Sequence, residues 1–469
     1  MHYYLYPKGG NAKYCAWIID FLKSAGGGGF VDASYSFLDD SDPKISLMAN
    51  QDEIKQKIEC NQAKLCLTSI KYQDILLQNV INANIHQCCD GVKMFADALN
   101  VYFKEKLCGK KIIGVVMKNH AIKQKYLGSI ESILEQNGFQ IVYILTYYNF
   151  IHDQIEEYFK QNQKIYIYCD YEVLEKISFI PFVIDQSAGM KFHPDVASLK
   201  MVPSMDMYPI MTHEYGQKCY DLFWHQSRYV NVHSQSLYNI VYERQTFGGA
   251  FSGVSYKLVK GGYPSIDEQT RDVLDTKCDL DTVVIIGDTL CINSYDKLVE
   301  LIFELIDNGF RVLYKPTKRH SYNNIEKLRL MFLGKENFVW YEESKLNACE
   351  LSRSIVALES GISSMAYSYP VLAKKPSILL YFDIHSSDSI LQKDTFFNSS
   401  LHIRLCQDEI KNLLPILKDL AENKATQQQW KDKIKDYCKN DLYHYGCASE
   451  FIAQWICEWY QKREILKDN

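Results

Sequence analysis

Residues 282–314 read TVVIIGDTLCINSYDKLVELIFELIDNGFRVLY, and this stretch decides the fold. Thr282–Ile286 is a short run of β-branched residues closed by a glycine, the pattern of a buried strand. Tyr295–Asp307 follows with helical spacing of its apolar residues, Asn308-Gly309 supplies a helix-ending turn, and Arg311–Tyr314 is a second strand. Strand, helix and strand in that order predict a parallel unit in which the helix covers one face of the sheet.

The same grammar extends in both directions. Toward the C-terminus, Phe338–Tyr341, Ile355–Leu358 and Ser377–Tyr381 read as further strands. Upstream, Lys110–Val116 is a strand, Tyr126–Gln136 an amphipathic helix, and Gln140–Leu145 the returning strand after Asn137-Gly138. Lys164–Cys169 and Phe179–Ile184 repeat the pattern, giving a Rossmann-like unit to about residue 255.

The first 95 or so residues form a smaller α/β unit. Tyr3–Tyr6 is extended, Lys8–Asn11 a turn, Ala12–Lys23 helical, and Gly29–Asp32 the end of a second strand. Ile45–Met48 and Lys64–Thr68 read as extended, Gln51–Glu59 and Asp74–Ile81 as helical. The expected fold class is therefore α/β, with domains at 1–100, 108–255 and 256–469.

Composition agrees with a globular chain: of 469 residues 47% are apolar and 23% charged. The 52 Lys and Arg against 57 Asp and Glu are spread without long like-charge runs, which argues against a dedicated nucleic-acid surface and makes any anion site local. The 34 tyrosines and 22 phenylalanines form no regular base-stacking stripe. Fifteen cysteines are scattered, and the adjacent Cys88 and Cys89 suit neither a zinc knuckle nor a redox motif, so reduced core thiols in a cytoplasmic protein are expected. No secretory signal and no membrane-spanning stretch are read, which leaves peripheral contact with the inner face of the membrane, or recruitment through a partner, as the route to any lipid-linked acceptor.

In open α/β sheets ligands sit beyond the carboxyl ends of the strands, so the residues just after each strand carry the chemistry. Lys315-Pro316-Thr317-Lys318-Arg319-His320 places cations after one strand, where they can neutralise charge growing on a departing nucleotide. A solvated basic loop is the plainer alternative. Glu359-Ser360-Gly361-Ile362-Ser363-Ser364 follows another strand and opens a helix, where free N–H groups and hydroxyls make a phosphate cradle that needs no metal. An ordinary serine N-cap would look the same. Gly9-Gly10 before the first helix offers a weaker phosphate turn, equally readable as tight strand-to-helix packing.

Four segments resemble CDP-glycerol glycerophosphotransferases, the teichoic-acid and capsule polymerases. They are Gly262-Tyr263-Pro264-Ser265-Ile266-Asp267, the Lys315-Pro316 loop, Ser363-Ser364 with Lys375-Pro376-Ser377-Ile378 behind it, and His444-Tyr445-Gly446-Cys447-Ala448-Ser449. The resemblance covers about residues 180–457. It implies a GT-B fold of two facing Rossmann-like domains, which the small Rossmann-like unit read at residues 1–100 precedes, and metal-independent inverting transfer from a CDP-linked donor to a surface glycan. It further implies that Ser363 and Ser364 hold donor phosphates, that the loop containing Lys315, Thr317 and Arg319 faces the pyrophosphate, and that Gly262, Tyr263 and Pro264 border the cleft. No cofactor beyond the substrate nucleotide is implied.

The departures are as specific as the matches. Thr317 stands where the family's Lys-x-His-Pro loop has histidine, and Asp185–Lys191 stands where it has Trp-His-Gly. Asp185 follows a strand and could take a proton from an acceptor hydroxyl, with His193 close behind; a structural N-cap is the alternative for Asp185. The Asp-x-x-x-Gly element with a serine pair is also similar to bacterial sialyltransferases, which use CMP-sugars. Glu359 is a candidate acceptor for ribose hydroxyls. Trp224-His225, with Arg228 and His233, reads as packing between domains. The lost histidines leave a catalytically inactive nucleotide-binding scaffold as a third reading.

Overall fold

The computed structural model describes residues 1–69, 71–117, 127–146, 152–169, 171–185, 190–201, 228–247, 256–267, 279–287, 289–316, 323–343, 345–359, 363–389, 391 and 396–467. Three parallel sheets organise them.

The first sheet is built by β1 (His2–Tyr6), α1 (Gly10–Ser24), β2 (Ser34–Phe37), α2 (Gln51–Glu59), β3 (Ala63–Leu67), α3 (Gln73–Asn82), β4 (Cys89–Asp90) and α4 (Gly91–Lys106), with strand order β2-β1-β3-β4. Two expected strands move. The second begins at Ser34, in register with His2, because the glycine run ends α1 (Gly26 φ +70) and Gly28–Phe30 makes a single tight turn. Residues 45–48 are turns, held by backbone N–H groups of Ser41, Lys44 and Leu47 donating to Asp39, Asp42 and Asp40.

The second sheet contains β5 (Lys111–Met117), α5 (Ile130–Gln136), β6 (Phe139–Thr146), α6 (His152–Gln161), β7 (Ile165–Cys169), α7 (Tyr171–Leu174), β8 (Phe182–Asp185), β9 (Ala197–Lys200), β10 (Tyr229–Val232), α8 (Gln235–Phe247) and β11 (Lys257–Lys260). Read from the far edge its order is β7-β6-β5-β8-β9-β10-β11, the doubly wound order with its switch point between β5 and β8. The sheet thus extends past residue 255 to Lys260.

The third follows as β12 (Thr282–Ile286), α9 (Thr289–Asn293), α10 (Tyr295–Asp307), β13 (Arg311–Lys315), α11 (Asn323–Phe332), β14 (Phe338–Trp340), α12 (Ala348–Arg353), β15 (Ser354–Glu359), α13 (Ser364–Ala373), β16 (Ser377–Tyr381), β17 (His402–Cys406), α14 (Leu413–Glu422), α15 (Lys424–Asn440) and α16 (Ala448–Lys467). Its order, β14-β13-β12-β15-β16-β17, repeats the doubly wound pattern. Helix α10 buries Leu298, Leu301, Ile302 and Leu305, one stripe at helical spacing, against β12 and β13.

The small first unit shares its core with the second: Leu5, Ile19, Phe95 and Phe103 belong to the same buried cluster as Ile113, Val142 and Ile184. Trp17 meets Tyr168 edge-on at 5.2 Å, and Phe103 stacks on Phe179 at 4.7 Å. Asn100 on α4 accepts from Ser178 N (2.8 Å) and donates to Lys176 O (2.8 Å). The last helix returns to the second unit, where Ile452, Ala453, Ile456 and Tyr460 complete that core.

One helix breaks a local rule. Pro370 lies inside α13 and removes the N–H that the Ala366 carbonyl would receive. His402, buried on β17, donates from Nε2 to that carbonyl (3.0 Å) while its Nδ1 accepts from Asn398 N (3.0 Å), so a side chain replaces the missing helical bond.

Candidate functional site

The carboxyl edge of the third sheet gathers Lys315, Gly287 and Glu359 on three neighbouring strands. Register fixes their level: Ile286 pairs with Lys315 across β12–β13, and Ile285 with Leu358 across β12–β15, so Lys315, Ile286 and Glu359 end together. Strand spacing then sets Lys315 and Glu359 about 10 Å apart at the backbone. Gly287 turns the chain between them with φ +80, its N–H donating to Lys315 O (2.9 Å) and its carbonyl accepting from Tyr314 Oη (3.1 Å). The sequence signal for Gly287 is a single glycine directly after a β-branched strand, a pattern that does not by itself mark a site.

Lys315 is mostly buried, its Nζ donating to Glu343 O (2.6 Å) in the loop after β14. Glu359 is buried at the last position of β15. Ser363 is the N-cap of α13 and accepts from Met365 N (3.2 Å), and its own hydroxyl hydrogen has no acceptor among the described residues. The Ser364 hydroxyl makes no hydrogen bond among the described residues, and both serines are half-buried. Thr317 and Arg319 lie outside the described residues, as do Ser360, Gly361 and Ile362.

On the second sheet Asp185 ends β8, the strand on the far side of the switch point from β5. Asp185 pairs in register with Lys200 at the end of β9, and Lys200 Nζ lies 3.0 Å from Asp185 Oδ2 with both side chains 1% exposed. The carboxylate is thus held by a buried cation, and in this arrangement it is shielded from solvent. His193 is partly exposed; its Nδ1 accepts from Asp195 N (3.2 Å), so the neutral ring carries its proton on Nε2. Gly189 and residues 186–188, with Trp224 and His225, lie outside the described residues. Arg228 donates its N–H to Ser198 Oγ, and His233 is buried at the end of β10.

Gly262, Tyr263 and Pro264 are committed to packing. Gly262 has φ +87, and a Cβ there would collide with the Tyr443 carbonyl. Tyr263, Pro264 and Ile266 are buried, and Asp267 accepts from the N–H groups of Ala448 (3.3 Å) and Ser449 (2.8 Å) and from Ser449 Oγ (2.7 Å). Asp267 therefore caps the N-terminus of α16 from across the chain. Gly128 (φ +48) closes against the same place, a Cβ on it meeting Ser449 Oγ and Pro264 O at 2.6 and 2.7 Å. Two of the sequence segments, 262–267 and 444–449, are thus partners of one another.

In the first unit, Gly9 precedes α1 in extended geometry, and a Cβ on it would meet nothing within 4 Å, so close packing does not account for that glycine. Among the described residues no cluster of three or more His, Cys, Asp or Glu could hold a metal, and no helix is long and apolar enough to cross a membrane.

No family model matches the chain, and no curated protein matches it by sequence. Solved structures do. A protein assigned as a UDP-N-acetylglucosamine 2-epimerase, from Listeria monocytogenes, matches at 13% identity and TM-score 0.50, over 76% of this chain and 97% of that one. The wall teichoic acid polymerase TagF matches at 14% identity and TM-score 0.49, over 83% and 96%. A UDP-GlcNAc 2-epimerase from Neisseria meningitidis, bound to UDP-GlcNAc, matches at 12% and 0.49, over 74% and 100%. With the two doubly wound sheets and the last helix returning to the first of them, the epimerase likeness identifies the architecture as the GT-B fold.

Proposed function

We propose that the protein is a transferase that moves a glycosyl or polyol-phosphate group from a cytidine-nucleotide donor to a glycan acceptor, without a metal and with inversion. The observation that carries this reading is the level placement of Lys315, the Gly287 turn and Glu359 beside the α13 N-terminus, at the switch point of the third sheet. A helix N-terminus with serine hydroxyls attracts phosphate, and a cation two strands away stabilises charge on a leaving nucleotide. Glu359 is suited to accept from ribose hydroxyls.

In this scheme the acceptor oxygen attacks the transferred centre in line, the bond to the nucleotide phosphate breaks, and the acceptor proton passes to a base on the second unit. Asp185 and His193 are the candidates for that base. For Asp185 the route requires Lys200 to release the carboxylate; His193 requires its Nδ1 to leave Asp195 N. The donor grip is independent of which one serves. A lipid-linked acceptor would be met by peripheral contact at the inner membrane face.

The test is a ligand panel of CDP, CMP, UDP and GDP read by thermal shift. A ligand at 100 times its Kd stabilises the native state by about 2.7 kcal/mol. The expected result is the largest shift with CDP, lost in the Ser363→Ala/Ser364→Ala variant. A larger shift with CMP than with CDP moves the assignment to a CMP-sugar donor. No response to either cytidine nucleotide, or equal affinity in the double variant, rejects the proposal. Donor binding without transfer or donor hydrolysis, unchanged by Asp185→Asn, identifies a scaffold.

A further inference from the structure

Cys66 and Cys89 face each other on adjacent strands of the first sheet. They are register partners across β3–β4, and their sulfurs share a hydrogen bond at 3.5 Å. Neighbouring strands put such residues about 4.8 Å apart at the backbone, inside the roughly 4.4–6.8 Å over which a disulfide closes. Gly91 keeps this corner tight, since a Cβ on it would lie 2.9 Å from Cys66 Cβ.

The two thiols differ in access and acidity. Cys66 is fully buried and Cys89 partly exposed. The hydrogen bond shared with Cys66, aided by Lys64, holds the Cys89 thiol below its ordinary pKa, while the same bond and burial push Cys66 up. Cys89 also immediately precedes Asp90, the N-cap of the long helix α4; the helix's positive end favours a thiolate, against the opposing charge of the Asp90 carboxylate. Met94 Sδ lies 3.9 Å from Cys89 Sγ, so the site is lined by sulfur.

We propose that Cys66 and Cys89 form a reversible, peroxide-driven disulfide, with Cys89 as the reacting thiol and Cys66 as the resolving one. The Cys89 thiolate attacks a hydroperoxide; the S–O bond forms, the O–O bond breaks, and the departing alkoxide or hydroxide takes a proton. The Cys66 thiol then attacks the sulfenic sulfur; the S–S bond forms, the S–O bond breaks, and the released hydroxide leaves with the Cys66 proton as water. The product staples the two-residue strand β4 to β3, directly before the helix whose Asn100 is bonded to residues 176–179 of the second unit.

The full chain is titrated with hydrogen peroxide, alkylated and peptide-mapped. Exposed Cys60 and Cys108 serve as internal references. The expected result is a Cys66–Cys89 crosslink at roughly tenfold less peroxide than modifies the references, reversed by dithiothreitol. Cys66→Ser should instead leave a sulfenic acid on Cys89 that dimedone captures. References that oxidise with no crosslink, or Cys89 found joined to Cys88 or to a second chain, overturn the proposal. The unsubstituted protein alone decides this, whatever the variant's stability.

Discussion

Asp267 and Ser449 stand 182 residues apart in sequence and are joined by two hydrogen bonds, from Ser449 N at 2.8 Å and from Ser449 Oγ at 2.7 Å. Burial raises the Asp267 pKa above the ordinary carboxylate value, against the opposing pull of the Ser449 and Ala448 donors. A raised native pKa means that the folded state binds the proton more readily than the unfolded one. The associated stability is fully present below the unfolded pKa and is lost as pH rises through the native one. Relative to Asp267→Asn, the protein should therefore gain in Tm as pH falls from neutrality toward 4, opposite to a salt-bridged aspartate. A difference in Tm that is flat, or that shrinks on acidification, contradicts this.

Asp185 and Lys200 form an ion pair with both charges buried. Removing one partner strands the other, and Asp185→Asn or Lys200→Met is expected to cost about 3–5 kcal/mol in urea unfolding. Replacing both, as Asp185→Leu with Lys200→Met, should recover most of that loss. If the two single losses simply add in the double variant, the pair is not coupled as described.

His402 substitutes for the helical donor that Pro370 lacks. His402→Leu leaves the Ala366 carbonyl without this donor and should destabilise by about 1–3 kcal/mol. Adding Pro370→Ala restores a backbone N–H to that carbonyl and should return part of the loss. Equal stability of the single and double variants would show that the imidazole bond is not what compensates the proline.

Much of the architecture was readable from local periodicity. The run Thr282–Ile286, the stripe on α10 and the Asn308-Gly309 turn each obey one short-range rule, and each appears where that rule places it. Strands β9, β10, β11 and β17 escaped because four or five residues of mixed polarity, such as Ala-Ser-Leu-Lys at 197–200, become strands only by pairing with distant neighbours. Of the candidate site, Lys315, Glu359 and the serine pair were visible as polar residues following apolar strands. Lys200 was not, because its significance depends on register with Asp185, and no local pattern encodes register between strands joined by a loop. The Gly262–Asp267 segment showed its composition but not its partner, because a cap supplied from 182 residues away leaves no trace in spacing.

The backbone passes between the two large lobes twice, once between Lys260, the last residue of β11, and Tyr263, which is buried with Val284 and Leu313 of the third sheet, and once between Asn440 and Ala448, and the Asp267–Ser449 bonds tie these passages together. The second passage is fastened along its length as well, Tyr443 N donating to His233 O (2.9 Å) and Gln235 N to Asp441 O (2.7 Å), so neither crossing can shift without breaking buried bonds of the other.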